Sequence, residues 1–427
     1  MQSKKPNRKF SKLLLVISAF TLSGMMLGTT AAKAEDQKPA WPQFHGPDRT
    51  NISPEKGLLK EWPTEGPKQA WKITGIGGGF SSVSVGHGKI FTAGDAKDAC
   101  YMLAMTEADG KPLWKAKIGR IGGKYSGPRA TPTIDGAYVY MMGQWGDLVC
   151  CKSETGEEVW RTNLNSDLGG KMMSGWGNAE SVLIDGDKVI CTPGGSKGTL
   201  AALDTLTGKV LWRSTEITDP SAYTAPVIAE IAKVRQAVIL TNNSVAGIAV
   251  TDGKLLWKAA RHGETAVIPT PVVKDNRVYV TSGYKIGCNM FEVTATDSAF
   301  SAKQMYDNKS MVNHHGGVIL LNNYIYGHSD AGGWTCQDLA TGEAKWQDKK
   351  LLGKGTITYA DERFYLRDED SGLILLVKAG PDAHEVKGKL EQPDRSNEKA
   401  WPHLVIANGK LYVRDKDLLL CYDVKAN

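Results

Sequence analysis

Several familiar signatures are missing from this sequence. Its seven cysteines include no Cys-x-x-Cys pair, and their odd number leaves at least one thiol free in a monomer, so neither a zinc ribbon nor a disulfide framework is indicated. The His-Glu-x-x-His motif is absent, which removes motif support for a zinc peptidase. No stretch beyond the first residues shows sustained helical periodicity or an apolar run of the ~18 residues that a membrane span needs. These absences favour an all-β protein without a stable membrane span.

The excess of positive charge is confined to the beginning of the chain. An apolar run from Leu13 to about Leu27 is followed by the small-x-small pattern Ala32-Lys33-Ala34. This arrangement predicts a secretory signal peptide over residues 1–34 and a periplasmic or secreted product, with an uncleaved signal anchor as the alternative. No cysteine stands at the cleavage point, so a lipid anchor is not expected. The basic residues of the leader are Lys4, Lys5, Arg8, Lys9, Lys12 and Lys33.

Removal of those 34 residues from the 427 leaves 393, with 46 basic and 46 acidic side chains. A balanced chain lacks the basic footprint of a nucleic-acid-binding protein. We divide the remainder into a proline-rich N-terminal arm over residues 35–66 and a repeat domain over residues 67–427. About 393 residues are too many for one ordinary core but suit an array of repeats.

A turn glycine followed four residues later by tryptophan recurs five times, as in "ALDTLTGKVLW" from Ala202 to Trp212. The tryptophans, counted from Trp71, are separated by 43, 46, 52, 45 and then 89 residues, and the missing copy lies near Tyr306. A period of 40 to 50 residues is typical of β-propellers. The glycine supplies a positive φ, and the tryptophan fills the gap between neighbouring sheets. These structural pairs are Gly110 and Trp114, Gly156 and Trp160, Gly208 and Trp212, Gly253 and Trp257, and Gly342 and Trp346.

Each unit contains four short runs rich in Val, Ile, Tyr and Thr, separated by turn dipeptides such as Asp135-Gly136. Unit starts fall near residues 81, 131, 180, 224, 269, 316, 355 and 404, which predicts an eight-bladed propeller of four-stranded antiparallel blades; seven blades is the alternative. The last unit lacks a fourth strand. We expect the segment around Trp71 to supply it and so to pair the two ends of the chain.

The pattern "ALD-x-x-TGK-x-x-W" resembles the tryptophan-docking repeat of pyrroloquinoline-quinone (PQQ)-like β-propellers, and the likeness extends over the whole mature chain. "WPQFHGPDRTNISPEKGL" from Trp41 and "NHHGGVILLNNYIYGHSD" from Asn313 resemble a secreted subgroup common in planctomycete-type bacteria. The resemblance implies the fold but not the function, because similar propellers include cofactor-free BamB-type scaffolds and alcohol dehydrogenases that hold PQQ and calcium.

The adjacent pair Cys150-Cys151 resembles the vicinal disulfide that covers the quinone in PQQ alcohol dehydrogenases. Here the pair falls within the third strand of its unit, with Cys150 in register with Ala202 and Cys336. Adjacent strand residues point to opposite faces, so a disulfide would distort the strand. Ordinary packing in a small-residue position is the favoured interpretation.

Loops that join one unit's outer strand to the next unit's inner strand open on the face where propellers place their sites. A metal site from the histidines of these loops is conceivable, but adjacent histidines on a strand diverge, so hydrogen bonding or a shallow pocket for a polar ligand is favoured. The acidic run Asp368-Glu369-Asp370 lacks the spaced oxygen ligands of a calcium loop. The candidate ligand-binding residues are Trp145, Trp176, Glu180, His262, His314, His315, His328, Asp330, Trp334, Arg367, Trp401 and His403.

Eight units over 393 residues average about 49 each, which leaves little chain to roof a buried cofactor. We therefore expect a monomeric binding or scaffold module with no cofactor, no metal and no catalytic residue, with a protein, peptide or glycan partner on the funnel face. The alternative is a PQQ- and calcium-dependent alcohol dehydrogenase of the polyvinyl-alcohol type.

Overall fold

The computed structural model describes residues 38, 40–296 and 299–426, and in these ranges all regular secondary structure consists of β-strands, 33 in number. The predicted signal peptide lies outside the described residues. Within them, no helix has the length and apolarity that crossing a membrane would require.

The strands form eight sheets of four antiparallel strands, here called blades 1 to 8, and the sheet of blade 7 carries one extra strand. Two strands precede the first blade: β1 (Ile52–Ser53) and β2 (Gln69–Thr74). Blade 1 contains β3 (Ser84–Gly86), β4 (Lys89–Asp95), β5 (Cys100–Thr106) and β6 (Pro112–Gly119). Blade 2 contains β7 (Thr133–Asp135), β8 (Tyr138–Met142), β9 (Asp147–Lys152) and β10 (Glu158–Asn163). Blade 3 contains β11 (Leu183–Asp185), β12 (Lys188–Cys191), β13 (Ala201–Asp204) and β14 (Val210–Arg213).

The second half of the ring repeats the arrangement. Blade 4 contains β15 (Val227–Ile231), β16 (Val234–Leu240), β17 (Ser244–Ala249) and β18 (Leu255–Ala260). Blade 5 contains β19 (Val272–Lys274), β20 (Arg277–Ser282), β21 (Gly287–Thr296) and β22 (Ala299–Asn308). Blade 6 contains β23 (Val318–Leu321), β24 (Tyr324–Ser329), β25 (Gly333–Asp338) and β26 (Ala344–Asp348). Blade 7 contains β27 (Gly355–Ala360), β28 (Arg363–Asp368), β29 (Ile374–Ala379) and β30 (His384–Leu390), and blade 8 contains β31 (Val405–Ala407), β32 (Lys410–Asp415) and β33 (Leu418–Asp423).

Blade 8 is completed by the N-terminal strand β2, which pairs antiparallel with β33 and places Trp71 opposite Cys421. The predicted closure by the segment around Trp71 is therefore confirmed, as is the count of eight blades. Joining the N-terminal strand β2 to the last strand in one sheet leaves no open end in the ring and ties down both ends of the domain.

The repeated tryptophans connect neighbouring blades. Trp160 on β10 packs over Gly208 in the turn of blade 3, and its indole Nε1 donates to the Thr205 carbonyl at 2.8 Å. Tyr306 takes the same position in blade 5, where its hydroxyl donates to the Leu339 carbonyl at 2.9 Å. The repeated aromatic residue thus fills the space between blades and in most copies also satisfies a main-chain carbonyl of the next blade, whereas Trp257 donates to Gln236 of its own blade.

A small residue stands opposite each of the five repeated tryptophans in the third strand of the blade, whereas Met290 stands opposite Tyr306. Cys150 pairs with Trp160, Ala202 pairs with Trp212 and Cys336 pairs with Trp346. All seven cysteines are buried with free thiols. Burial raises the pKa of both Cys150 and Cys151 to about 12, so neither forms a thiolate readily near neutral pH.

The N-terminal arm runs through the centre of the ring. Its β1 adds in parallel to β27 of blade 7, and Trp41 pairs with Val85 of blade 1. The Pro42 carbonyl accepts from the Ile134 amide of blade 2 at 2.7 Å. Arg49 of the same segment contacts blades 3 and 4, across the ring from blade 7, so these 13 residues, from Trp41 to Ser53, must lie along the axis of the ring. The arm therefore occupies the central channel of the propeller.

Arg49 and Asn51 attach the arm to further blades. The guanidinium of Arg49 donates to the carbonyls of Ser181 and Val182 at the start of blade 3 and of Pro226 at the start of blade 4. The amide of Asn51 donates to the Ile357 carbonyl of blade 7. Arg49 and Asn51 both have positive φ, which lets the arm turn sharply inside the channel.

Candidate functional site

A pocket of about 200 Å³ opens on the face predicted for the site. Nearly all of its wall comes from the loops that join one blade's outer strand to the next blade's inner strand, whereas Tyr284 follows the second strand of blade 5. The side chains that line it are predominantly aromatic, as is usual for ligand sites. They are Phe44, Phe80, Ser82, Tyr125, Arg129, Trp176, Ala179, Ser181, Tyr223, Ala225, Ala266, Ile268, Tyr284, His314, His315, Trp401 and His403.

The rings form a continuous series around the pocket. From Tyr223 the centroid separations are 6.1 Å to Trp176, then 5.9 Å to Tyr125, 5.5 Å to Trp401 and 4.7 Å to Phe80. The planes of successive rings beyond Trp176 are inclined by 86°, 54° and 38°. Edge-to-face and tilted contacts at these separations are favourable for aromatic pairs. The pocket wall is therefore a curved surface of rings that hold one another in place.

Phe44 of the arm forms the floor of the pocket, and the neighbouring His45 lies behind it. The two rings stack with centroids 3.7 Å apart, and the His45 ring lies 4.6 Å from that of His403. Burial holds the pKa of His403 at about 3 and that of His45 well below its usual range, and the charge of Arg49 lowers the latter further. Both imidazoles are neutral near pH 7. A second cavity, of about 140 Å³, lies on the other side of the arm against blades 4, 5 and 6, so the arm divides the central channel into two compartments.

Glu369 supports the pocket from behind. Its carboxylate accepts from His315 Nε2 at 2.7 Å and from Trp401 Nε1 at 2.8 Å, and Lys354 and Lys399 each stand 3.4 Å away. Burial by itself raises the pKa of Glu369, but the hydrogen bonds and charges around it outweigh burial and hold the pKa well below its usual range. The ionised carboxylate thereby fixes the orientation of two pocket side chains.

His314 stands at the side of the pocket between a donor and an aromatic hydroxyl. Lys354 Nζ lies 3.1 Å from its Nδ1, and the Tyr284 hydroxyl lies 3.1 Å from its Nε2. Burial, with the neighbouring charges of His315 and Lys354, lowers the pKa of His314 to about 4. The ring is neutral near pH 7 and its two nitrogens are both occupied.

Arg129 is the one permanently charged side chain among the residues that line the pocket. Its Nη1 donates to the Trp176 carbonyl at 3.0 Å and its Nη2 to the Tyr125 carbonyl at 2.9 Å. Burial lowers its pKa, and Tyr223, Tyr125 and the more distant carboxylate of Asp95 partly offset that effect. No carboxylate of the described residues lies within ion-pair distance of this guanidinium, and the lining includes neither Asp nor Glu.

The structure brings five of the predicted candidates together in the pocket lining: Trp176, His314, His315, Trp401 and His403. Trp145 lines a separate surface hollow, where Arg120 stacks on it at 4.1 Å. His262 is exposed, and His328 and Asp330 lie 4.0 Å apart outside the lining. Trp334 is buried with its Nε1 3.2 Å from the Gly353 carbonyl.

Glu180 and Arg367 are buried inside the propeller. Glu180 accepts from the amide and hydroxyl of Thr192 at 2.8 and 3.1 Å, and burial raises its pKa to about 8. Arg367 is fully buried between blades 7 and 8, where it donates to the Arg414 carbonyl at 2.7 Å. Both side chains satisfy main-chain or neighbouring groups and do not line the pocket.

Much of the aromatic wall consists of residues that were not among the predicted candidates. Three missed aromatic residues lie in loops between an outer and an inner strand, as the predicted candidates Trp176 and Trp401 do: Phe80, Tyr125 and Tyr223. Tyr284 lies in the loop after the second strand of blade 5. A search of both kinds of loop for aromatic residues would have found all four. Phe44 could not have been found in this way, because nothing in its local sequence shows that the arm enters the channel. Glu369 was treated as part of an acidic turn, whereas the fold places it beneath Trp401.

Two chemical possibilities find no support in the geometry. Among the described residues, no group of three or more His, Cys, Asp or Glu side chains is arranged to hold a metal ion. The stretch Gly194 to Gly198 matches the Gly-x-Ser-x-Gly spacing of hydrolase nucleophiles, with Ser196 at its centre. That serine lies in a turn between β12 and β13, whereas a nucleophile elbow joins a strand to a helix.

An eight-bladed propeller with a closed ring, docked tryptophans and an aromatic pocket on its loop face belongs to a recognisable class of repeat proteins. A family model described as outer membrane protein assembly factor BamB matches residues 101–348, which is more than half of the chain. The chain therefore belongs to this family of PQQ-like β-propellers.

A curated relative and several solved structures agree with this assignment. The outer membrane protein assembly factor BamB of Burkholderia pseudomallei is 28% identical over 156 residues, 36% of this chain and 32% of that protein, so the chain spans about a third of the length of the curated relative it matches. BamB from Moraxella catarrhalis superposes with a TM-score of 0.53 at 17% identity over 78% of this chain and 94% of that one. A quinohemoprotein alcohol dehydrogenase from Pseudomonas putida superposes with a TM-score of 0.63 at 12% identity, over 92% of this chain and 81% of that one. At these identities the structural likenesses show the fold alone.

Proposed function

We propose that this protein is an exported binding module, without catalysis of its own, that holds a glycan in the aromatic pocket of its funnel face. The observation that carries the proposal is the continuous series of aromatic rings from Tyr223 to Phe80, of which the pairs beyond Trp176 are inclined to one another. Sugar rings present apolar C–H faces, and aromatic side chains bury such faces while their polar edges stay hydrated.

A peptide partner is less well matched to this pocket. Bound peptides commonly add a strand to an exposed sheet edge or lie in a groove between helices. The pocket wall is made of loops rather than of a strand edge, and its contacts are side-chain rings.

The donor set also speaks against the dehydrogenase alternative. A calcium ion beside PQQ needs several oxygen ligands, usually including carboxylates. The pocket lining has no Asp or Glu, and Glu369 behind it is already engaged by His315 and Trp401. The floor is taken up by Phe44 of the arm, against which the His45 ring stacks. PQQ and calcium therefore do not fit the residues present in this pocket.

The proposal is tested by titrating the purified exported chain with neutral and acidic oligosaccharides and following tryptophan fluorescence and calorimetry. We expect binding of at least one oligosaccharide, and Trp176→Ala should weaken it about tenfold, the equivalent of about 1.4 kcal/mol. Trp145→Ala is the matched control, because Trp145 lies on the same face but outside the pocket. The proposal is wrong if no oligosaccharide binds, or if incubation with PQQ and calcium gives retained quinone and dye-linked alcohol oxidation.

A further inference from the structure

We infer that the ligand of the funnel pocket is an acidic sugar, a uronic acid residue whose carboxylate pairs with Arg129. This inference rests on the proposed glycan-binding function and adds the charge of the ligand to it. Its basis is a cation without a carboxylate partner inside a wall of rings.

Arg129 has hydrogen-bond donors that no protein acceptor among the described residues uses. A guanidinium has five N–H donors in a planar fork, and the carbonyls of Trp176 and Tyr125 take one each from Nη1 and Nη2. Half-buried in a mainly aromatic pocket, the cation loses hydration that no protein carboxylate replaces among the described residues. An incoming carboxylate would restore this stabilisation, because pairs between arginine and carboxylate are the strong, charge-assisted kind.

The charged side chains closest to the pocket wall are mainly positive. The pocket lining contributes no negative side chain, and Lys416 Nζ stands 3.9 Å above the Phe80 ring at its edge. Lys354 lies behind His314. Glu369, the carboxylate directly behind the wall, faces Lys354 and Lys399 and accepts hydrogen bonds from His315 and Trp401, and Asp95 lies outside ion-pair distance of Arg129. An anionic ligand therefore meets positive charge on several sides and no repulsion from the lining.

The orientation of the aromatic rings favours a puckered ligand over a flat one. A flat conjugated ring system is held best between parallel aromatic planes. Trp176 and Tyr223 are close to parallel, at 26°, whereas Trp401, Tyr125 and Phe80 present planes inclined to one another by 54° and 38°. A puckered pyranose ring with C–H groups on both faces matches such a curved wall better than a planar quinone does.

Arg129 also positions the pocket, because its two hydrogen bonds join the loop of Tyr125 to the loop of Trp176. A loss of binding in an Arg129 variant could thus follow from displaced rings alone. The decisive comparison is made on the ligand, with the unchanged protein, between uronic acid tetramers and their carboxyl-reduced counterparts, which keep the sugar ring and lose the charge.

The experiment measures calorimetric affinities for galacturonate, glucuronate and mannuronate tetramers and for each reduced form, at low and high salt. We expect at least one uronate to bind tenfold or more tightly than its reduced form, with a smaller ratio at high salt. Arg129→Gln should bind the uronate and its reduced form equally well, and Arg129→Lys should keep part of the preference for the uronate. Arg120→Gln, on the same loop but outside the pocket, should leave it unchanged.

Equal affinity for every acidic and reduced pair overturns the acidic-sugar inference while leaving glycan binding intact. Binding of PQQ in place of every uronate also overturns it. Failure of all oligosaccharides, neutral and acidic, counts instead against the proposed function itself.

Discussion

Trp212 of blade 3 lies directly over Gly253 in the turn of blade 4, and its indole Nε1 donates to the Val250 carbonyl at 3.0 Å. A Cβ atom at Gly253 would stand 2.5 Å from Cε3 of that indole. One glycine thus serves two purposes, because its φ of +78° forms the turn and its missing side chain admits the neighbouring ring.

Gly253→Ala should destabilise the protein through both effects. The positive φ costs an L-residue about 1 kcal/mol, and the clash with Trp212 adds about 1–3 kcal/mol of overpacking. Gly186→Ala is the control, because Gly186 has a φ of +60° and no atom within 4 Å of its Cβ position. Urea unfolding should show the larger loss for Gly253→Ala. Equal losses of unfolding free energy in the two variants would mean that the Trp212 ring moves aside without destabilising the protein.

Tyr306→Phe tests whether the hydrogen bond contributes to blade docking apart from the packing of the ring. The change removes the hydroxyl that donates to the Leu339 carbonyl and leaves the ring in place. We expect a loss of about 1 kcal/mol in the free energy of unfolding. Tyr101→Phe removes an exposed hydrogen bond to Asp98 and should change that free energy by less than about 0.5 kcal/mol. A neutral Tyr306→Phe would show that packing alone docks the blades.

Arg49→Met tests the attachment of the arm to the channel. The substitution leaves buried carbonyls of Ser181, Val182 and Pro226 without their donor, and each unsatisfied group costs about 1–3 kcal/mol. We expect a loss of at least about 3 kcal/mol and faster proteolysis within residues 40–53. Arg277→Met, at an exposed arginine on β20, should leave both measurements near those of the unchanged chain. Unaltered stability and proteolysis in Arg49→Met would contradict a structural role for the arm.

Glu180→Gln should change the dependence of stability on pH. Burial raises the pKa of Glu180 to about 8 in the folded protein, against about 4.3 in an unfolded chain. A raised folded pKa gives stability that is complete below the unfolded value and is lost as the pH rises through about 8. The unchanged protein should therefore lose about 1–4 kcal/mol between pH 5 and pH 9 relative to the variant, since each pKa unit corresponds to about 1.4 kcal/mol.

The measurement for Glu180→Gln is urea unfolding at both pH values. Half-buried His314 and His328, whose pKa values desolvation lowers to about 4, shift stability in the opposite direction as the pH falls below about 6.5. Both histidines are present in each protein, so their effect cancels in the difference. Glu65→Gln, at an exposed carboxylate, is the control and should show no such difference. A pH-independent gap between the unchanged chain and Glu180→Gln would disprove the expected titration.

The local features of the fold could be predicted because each is written within a few neighbouring residues. The turn glycine and the tryptophan four residues later recur in every clear copy, so their spacing indicated the blade and its outer strand. Tyr306 was recognised from its place in the period and has the expected partner across the blade interface. The loop face was predicted from strand order alone, because outer-to-inner connections of successive blades meet at one end of the ring.

The pocket itself could be predicted only in part. Trp176, His314, His315, Trp401 and His403 lie in the predicted loops and line it. Arg367, from the same set, points into the packing between blades, because the side chains at a strand end alternate in direction and the pattern cannot tell which one faces the funnel.

The sequence by itself determined the repeat, the number of blades and the strand that closes the ring, because these depend on periodic apolar residues and turn chemistry within each unit. Only the tertiary structure decided that residues 40–53 fill the channel, that Phe44 forms the floor of the pocket, and that Glu369 holds Trp401 and His315. These relationships join residues up to about 350 positions apart along the chain. They arise from closing the ring, which brings the ends of eight blades to one axis.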